Sequence, residues 1–416
     1  MTGLQTIATQ LPVWGDDRQR SLGADEDAIT LAVGAGYAAL DRDGADSAAA
    51  TVEHVLLVTR DLPQLEGNST APLLAGLGLP DTVRASLVLG GAPQALDAVT
   101  HAAAGTLVIG VDATGAPGAA AALVGDGGLA LRPLARSDRS LPLHVRDAQG
   151  RVSEYNDARL TRERGLIAGL ARLGLDAKPI AIAGVRGKDA AAVTVGGAPT
   201  LPTDGASAPL FALAALAEQG SSGPLVAFEE ATLVAVEVGT GAVTVRRDEP
   251  APRPAPQQRL SSEGTIAISL PAYERAFEAK LRLEAGKCTQ CGELALPPRT
   301  RCLRCGSEEG HTLVPLPRRG TVYTAVTVRV PVPGVLTPYS LVIVDLGDTE
   351  VRLIAKVTGA EPASVAIDDT GDLVLRRVAV RNGVTDYGYA FRPDRAPTPA
   401  SDTKTPVNTA LSGGQA

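Results

Sequence analysis

All four cysteines of this 416-residue chain fall between residues 287 and 307, in the stretch KCTQCGELALPPRTRCLRCGS. They are Cys288, Cys291, Cys302 and Cys305, two C-x2-C pairs with ten residues between them. Two such knuckles present four thiolates to one tetrahedral ion, and zinc suits that donor set. A closed set of four thiolates leaves no position for water, so such a site is structural rather than catalytic. The spacing favours a metal over two disulfides, the arrangement of oxidising compartments. Gly292 and Gly306 each follow the second cysteine of a knuckle, where a tight turn favours a residue without a Cβ.

Composition bounds the rest. Hydrophobic residues make up 44% of the chain, enough for two or three buried cores. The net charge is −7 and aromatic residues are 3%, so neither a basic surface nor a base-stacking platform supports nucleic-acid binding. No apolar run reaches the length of a membrane span and no signal peptide opens the chain, which gives a cytoplasmic expectation.

Residues 1–248 alternate helical and strand-like periodicities. Helices are expected over 26–41, 69–79, 92–105, 157–173 and 206–219. Strands are expected over 52–59, 85–90, 106–112, 119–128, 179–184, 224–228 and 231–238. This alternation implies a layered α/β fold. Residues 249–264, with Pro250, Pro252, Pro254 and Pro256, read as an extended, protease-sensitive linker whose cleavage releases two folded pieces. A helix over 271–285 leads into the cysteine ribbon, which closes a segment spanning 265–310. Short strands with turn glycines then suggest a small OB-type barrel over 311–395, before a polar tail, 396–416, that reads as disordered.

The order of helix, KCTQCGELALPPRTRC and barrel resembles the DUF35 family, a rubredoxin-like zinc ribbon joined to an OB-fold, over residues 265–393. Pro297, Pro298 and Arg299 stand where that family carries its PPR signature. The resemblance implies a companion of thiolase-superfamily enzymes, or of MaoC-type hydratases, that helps position an acyl-CoA or stabilises its partner.

Residues 1–240 resemble a thiolase-superfamily domain, nearest the hydroxymethylglutaryl-CoA synthase and ketoacyl synthase III branch. The segments DEDAITLAVGAGYAAL, GNSTAPLLAGLGLP, TLVIGVD, AAAALVGDGG and LPTDGASAPLFALAALAE carry it. That chemistry needs a cysteine nucleophile, and residues 1–287 contain none. The resemblance places the nucleophile at the start of helix 92–105, where this chain has Leu89, Gly90 and Gly91. It aligns Ala183 with the histidine and Thr203 or Asp204 with the asparagine, and the glycine-rich loop reads FEEA, with Glu229 and Glu230. No other residue replaces them convincingly. His101 lies far along its helix, and His54 and His144 lack partners. Asp61 falls near the acid of hydroxymethylglutaryl-CoA synthases but cannot transfer an acyl group alone. Asp112 and Asp126 read as turn residues, and the GDGG at 125–128 as a hairpin turn.

The expectation is an accessory, catalytically silent subunit of an acyl-CoA thiolase or condensing-type complex. It has no catalytic residues of its own, a structural zinc, and a coenzyme A thioester as ligand of the complex. Its thiolase-like half would pair through a sheet edge with a cysteine-bearing partner. Two alternatives stand beside it: an acyl-CoA condensing or cleaving enzyme using Glu229, Glu230 or Asp204, and a scaffold that does not touch acyl-CoA.

Overall fold

The computed structural model describes residues 2–41, 51–63, 69–141, 143–147, 151–155, 157–260, 279–331, 334–381 and 384–394. The first half contains β1 (Thr2–Gln10), β2 (Trp14–Gly15), β3 (Arg20–Ser21), α1 (Ala28–Ala39), β4 (His54–Thr59), α2 (Thr70–Leu77), β5 (Arg84–Leu89), α3 (Ala92–His101), β6 (Thr106–Asp112) and β7 (Gly118–Asp126). It continues with β8 (Leu131–Ser137), β9 (His144–Arg146), β10 (Val152–Glu154), α4 (Ala158–Arg164), α5 (Leu166–Leu173), β11 (Ala181–Ala183), α6 (Gly187–Val193), α7 (Ala208–Gln219), β12 (Gly223–Glu229), β13 (Thr232–Val238) and β14 (Thr244–Asp248).

Two sheets organise this half, in the orders β14-β1-β7-β6-β4-β5 and β11-β12-β13-β8. Strand alternation decides what each face buries. Leu107, Ile109 and Val111 of β6 face α1 and α2, whereas Val108 faces a second core shared with α3 and α7. Ala181 and Ala183 of β11 point into that second core, while Ile182 joins Val226 and Leu233 under α5 and α6. The result is five layers: helices, sheet, helices, sheet, helices. This is the layered thiolase-like architecture that the resemblance implies. α7, buried along most of its length between the two sheets, is apolar on nearly all sides, as a helix with no solvent face must be.

The second half carries β15 (Arg259–Leu260), β16 (Glu284–Cys288), β17 (Leu294–Ala295), β18 (His311–Pro315), β19 (Arg319–Val328), β20 (Leu336–Thr337), β21 (Tyr339–Asp345), β22 (Arg352–Lys356), β23 (Thr370–Arg381) and β24 (Val384–Pro393). Strands β17-β16-β18 form the ribbon sheet, so His311–Pro315 completes the ribbon and the barrel sheet begins at Arg319. The barrel order is β22-β21-β19-β23-β24, and a bridge from Val357 to Phe391 closes it. Zinc ribbon and OB-fold therefore follow the thiolase-like half in the expected order.

Several sequence expectations change. β1, which pairs with both β7 and β14 inside the larger sheet, was not among the expected strands. The helix over 157–173 is two helices that break at Gly165. The GDGG segment is a turn, with Gly127 and Gly128 at positive φ, but β7 and β8 belong to different sheets, so it hands the chain from one sheet to the other. The helix over 271–285 falls largely outside the described residues, as does the tail, and Glu284–Cys288 is strand.

The two halves share one core. Ile29, Leu73 and Leu77 from the first half cluster with Val322, Leu373, Leu375 and Phe391 from the barrel. Charge and hydrogen bonds reinforce the seam. Arg376, buried in β23, pairs with buried Glu26 at 3.0 Å, and the Tyr387 hydroxyl donates to Asp27, the N-cap of α1, at 2.9 Å. The described part of the linker is also pinned. Arg20 donates to the Pro250 carbonyl, Arg253 exchanges backbone hydrogen bonds with Val13 and Gly15, and β15 pairs with β20. Residues 249–260 thus bind to both halves, unlike a free tether.

Candidate metal centre and acyl-transfer position

The ribbon brings its four cysteines together. The four Sγ atoms all lie within 4.8 Å of one another, with Cys288 to Cys305 at 3.7 Å and Cys291 to Cys302 at 3.5 Å. A tetrahedral zinc with bonds of about 2.3 Å sets its sulfurs about 3.8 Å apart, so the donors fit the ion. The two knuckles repeat one geometry. Gly292 N–H donates to the Cys288 carbonyl and Gly306 N–H to the Cys302 carbonyl, each at 3.0 Å. Gly292 and Gly306 have φ of 76° and 74°, the left-handed region that a Cβ penalises. The backbone N–H of Cys305, aided by that of Arg304, draws the Cys302 thiol down.

The start of α3, where the resemblance places a nucleophile, lies where the parallel strands of the larger sheet end. β4 runs out at Thr59, β5 at Leu89 and β6 at Asp112, and α3 starts just beyond, with Gly91 as its N-cap. In open α/β sheets this carboxyl end is where ligands bind. The carboxylate of Glu229 occupies the space: a Cβ on Gly91 would stand 2.2 Å from Glu229 Oε1. Arg60, just beyond β4, forms an ion pair with Glu229. Burial lifts the Glu229 carboxyl above its usual range, and the charge of Arg60 opposes that rise. The neighbouring Glu230 has φ of 54°, a conformation in which glycine would be unstrained, in the two-residue turn joining β12 and β13.

Asp112 is a deeply buried cap rather than a turn residue. It ends β6 and accepts from Ala206 N–H at 2.7 Å, Ser207 N–H at 3.0 Å and Ser207 Oγ–H at 2.6 Å, holding the start of α7. Burial pushes its carboxyl up to about 6, against the hydrogen bonds from Ser207 and Ala206. Ser207 Oγ also lies 2.8 Å from Thr203 Oγ1. Asp204 faces outward and pairs with Arg186 at 3.2 Å.

The remaining candidates scatter. Ala183 is buried in the sheet, and a Cβ on the adjacent Gly184 would stand 3.4 Å from Ala92 at the start of α3. His54 does have partners, Ser86 Oγ at 2.9 Å and Arg84 at 3.1 Å, and burial with the nearby Arg84 charge lowers its pKa. His101 binds the Asp97 carbonyl at the far end of α3. His144 reaches Glu230 at 3.6 Å. Asp61 accepts from Ala113 N–H and Thr114, fixing the loop after β6. Asp126 is exposed at the end of β7. The sequence reading missed Arg60; its one signal was a cation directly after a buried strand.

No helix among the described residues is long and apolar enough to cross a membrane.

Comparisons with known proteins address the second half most directly. The family model for the ChsH2 rubredoxin-like zinc ribbon domain matches residues 276–309, and that for the ChsH2 C-terminal OB-fold domain matches residues 313–374. The chain is similar to benzoylsuccinyl-CoA thiolase subunit BbsA of Thauera aromatica, with 36% identity over 111 residues, 26% of this chain and 75% of that protein. Among solved structures it is similar to the Ltp2-ChsH2(DUF35) aldolase, with 26% identity over 29% of this chain and 90% of the other, at a TM-score of 0.25. It is also similar to β-ketoacyl-[acyl carrier protein] synthase III from Thermus thermophilus, with 18% identity over 58% of this chain and all of the other, at a TM-score of 0.43. With its four clustered cysteines and closed barrel behind a thiolase-like half, the chain belongs to the DUF35 family of ChsH2-type zinc-ribbon and OB-fold proteins.

Proposed function

We propose that the chain is an accessory subunit of an acyl-CoA thiolase or condensing-type assembly and has no catalytic residue of its own. One observation carries this reading. The Glu229 carboxylate, held by Arg60, fills the space in front of Gly91 where the family's nucleophile stands, and residues 1–287 hold no thiol. The acyl-enzyme of that superfamily forms on a cysteine thiolate, and here a carboxylate paired with a guanidinium stands in that place. The names of the relatives, a thiolase subunit and an aldolase with a DUF35 component, agree with membership of such an assembly.

In this reading Cys288, Cys291, Cys302 and Cys305 hold a structural zinc, which closes the ribbon and leaves no site for water. A coenzyme A thioester is the ligand of the assembly. The partner is a cysteine-bearing thiolase-superfamily protein. It docks on β5, an edge strand that pairs only with β4 among the described residues and ends in Leu89, 77% exposed. An unpaired edge of this kind offers its backbone groups to another chain.

A second reading has one observation behind it. Glu229, with a carboxyl raised by burial at the end of a sheet, is the kind of group that serves as a general acid or base. It would make the chain an acyl-CoA condensing or cleaving enzyme in its own right. Native purification separates the two. The accessory reading expects a thiolase-superfamily protein to co-purify and the isolated chain to turn over no acyl-CoA. Steady turnover by the partner-free chain would establish the second reading instead.

A further inference from the structure

Strand β19 parts from its barrel neighbour β23 partway along its length. Arg319, Gly320 and Thr321 pair with β23. Val322 then donates its N–H to the Asp369 carbonyl and accepts from Asp368 N–H. From Tyr323 to Val328 the strand pairs with β21 alone among the described residues, so its other edge is open. Tyr323 is 51% exposed and Val326 58%, and Thr324 and Ala325 between them are exposed too. Side chains alternate along a strand, so four exposed residues in a row mean that both faces are open at this edge.

Soluble proteins guard an edge of this kind with charged side chains, a proline or a bulge that twists it away. Residues 321–328, TVYTAVTV, carry no charge and no proline, and the one bulge of the strand precedes Thr324. Their β-branched side chains favour pairing. An unguarded edge takes up a strand from another chain through its main-chain groups.

The two ends of the edge identify that chain. Past its C-terminal end stand Arg329 and Val330, the latter 74% exposed. Beside its N-terminal end, held there by the hydrogen bonds to Val322, stand Ile367, 60% exposed, and Asp368. Arg329 and Asp368 are both exposed, and neither forms an ion pair among the described residues. An antiparallel copy of the same strand brings each end towards the other. The cation then approaches the carboxylate and Val330 approaches Ile367, and the two-fold axis repeats both contacts. With Val326 facing its own copy, Ala325 stands opposite Thr327 and Thr324 opposite Val328, so the paired run opposes no like charges. Each copy closes the open edge of the other, which gives a closed dimer and no fibre.

We infer that two copies of this chain pair through the open edge of β19, antiparallel about a two-fold axis at Val326, and so join their barrels into one sheet. The inference does not depend on the accessory-subunit reading. The edge proposed for the thiolase-superfamily partner, β5, belongs to a different sheet, in the other half of the chain.

Sedimentation equilibrium of the full chain over a range of concentrations tests it. The chain is expected to be a dimer that dissociates on dilution. Val326→Lys sets two like charges opposite each other at the axis, and it should weaken dimerisation about tenfold or more. The side chain is exposed, so the far-UV spectrum of the variant should match that of the wild type. Val326→Glu should weaken dimerisation in the same way. An equimolar mixture of the two variants should recover the dimer, because the axis then pairs a lysine with a glutamate. A monomer at every concentration, a dimer unchanged in folded Val326→Lys, or a mixture that stays monomeric overturns the inference.

Discussion

Asp112 is a carboxylate placed in the protein interior with three donors around it, and its titration has consequences for stability. Burial raises its folded pKa to about 6, above the value of about 3.9 for an unfolded aspartate. The folded state therefore binds the proton more tightly. The stabilisation this supplies is complete below about pH 4 and is lost as pH rises through 6. A shift of about 2 units corresponds to about 3 kcal/mol. Denaturant unfolding of the wild type should thus lose on the order of 3 kcal/mol between pH 4 and pH 7 relative to Asp112→Asn, whose side chain does not titrate. A pH-independent difference between the two would show that the group is solvated. At this scale legibility depended on how local the chemistry is. The four cysteines were readable because all the ligands lie within a short run. Glu229 could be seen to replace a glycine-rich loop, but its ion pair with Arg60 arises only when the ends of β4 and β12 meet. Asp112, read from sequence as a turn, became a cap because α7 starts directly above it.

The zinc ribbon has few other means of holding its shape. Its strands are short, and its apolar contacts amount to residues such as Leu294 and Leu296 leaning on the shared core. Metal binding and folding are therefore linked. Cys302→Ser should reduce bound zinc from about one per chain to none under chelator challenge, measured by metal analysis. It should also expose the ribbon to protease while the far-UV signal of the first half persists. Full zinc retention by that variant would mean another donor completes the site. Among the elements, α1 carried a clue that went unused. AITLAVGAGYAA is apolar on nearly all sides, so it had to be covered twice, by a sheet and by something else. The barrel supplies the second cover, with Leu375 in one core with Ile29 and Val33 and Tyr387 on the N-cap Asp27. β1 was missed because TGLQTIATQ mixes polar residues into a strand buried on both faces. Its threonines and Gln10 hide the hydrophobic run that a central strand usually shows. The continuous helical pattern over 157–173 concealed Gly165, where the axis breaks.

At the scale of the whole molecule, fold class and domain order were legible, because each half has its own periodicity. The seam was not, because a proline-rich stretch looks the same whether it floats or is pinned. A shared core of Ile29, Leu77, Leu373 and Phe391 predicts that a chain nicked within residues 249–264 stays together. Under native conditions it should elute as one particle. Separation into two folded fragments would restore the independent pieces that composition alone suggests. The same scale holds the central claim, that the thiolase-like half keeps its layers while an Arg60–Glu229 ion pair stands at the start of α3, where the proposed function expects no nucleophile. Intact-mass spectrometry of the full chain after incubation with acyl-CoA tests this most directly. The account predicts no covalent mass shift for the chain alone, and an acyl adduct on the cysteine-bearing partner once the assembly is reconstituted. An acyl adduct mapped to residues 1–248 would contradict it.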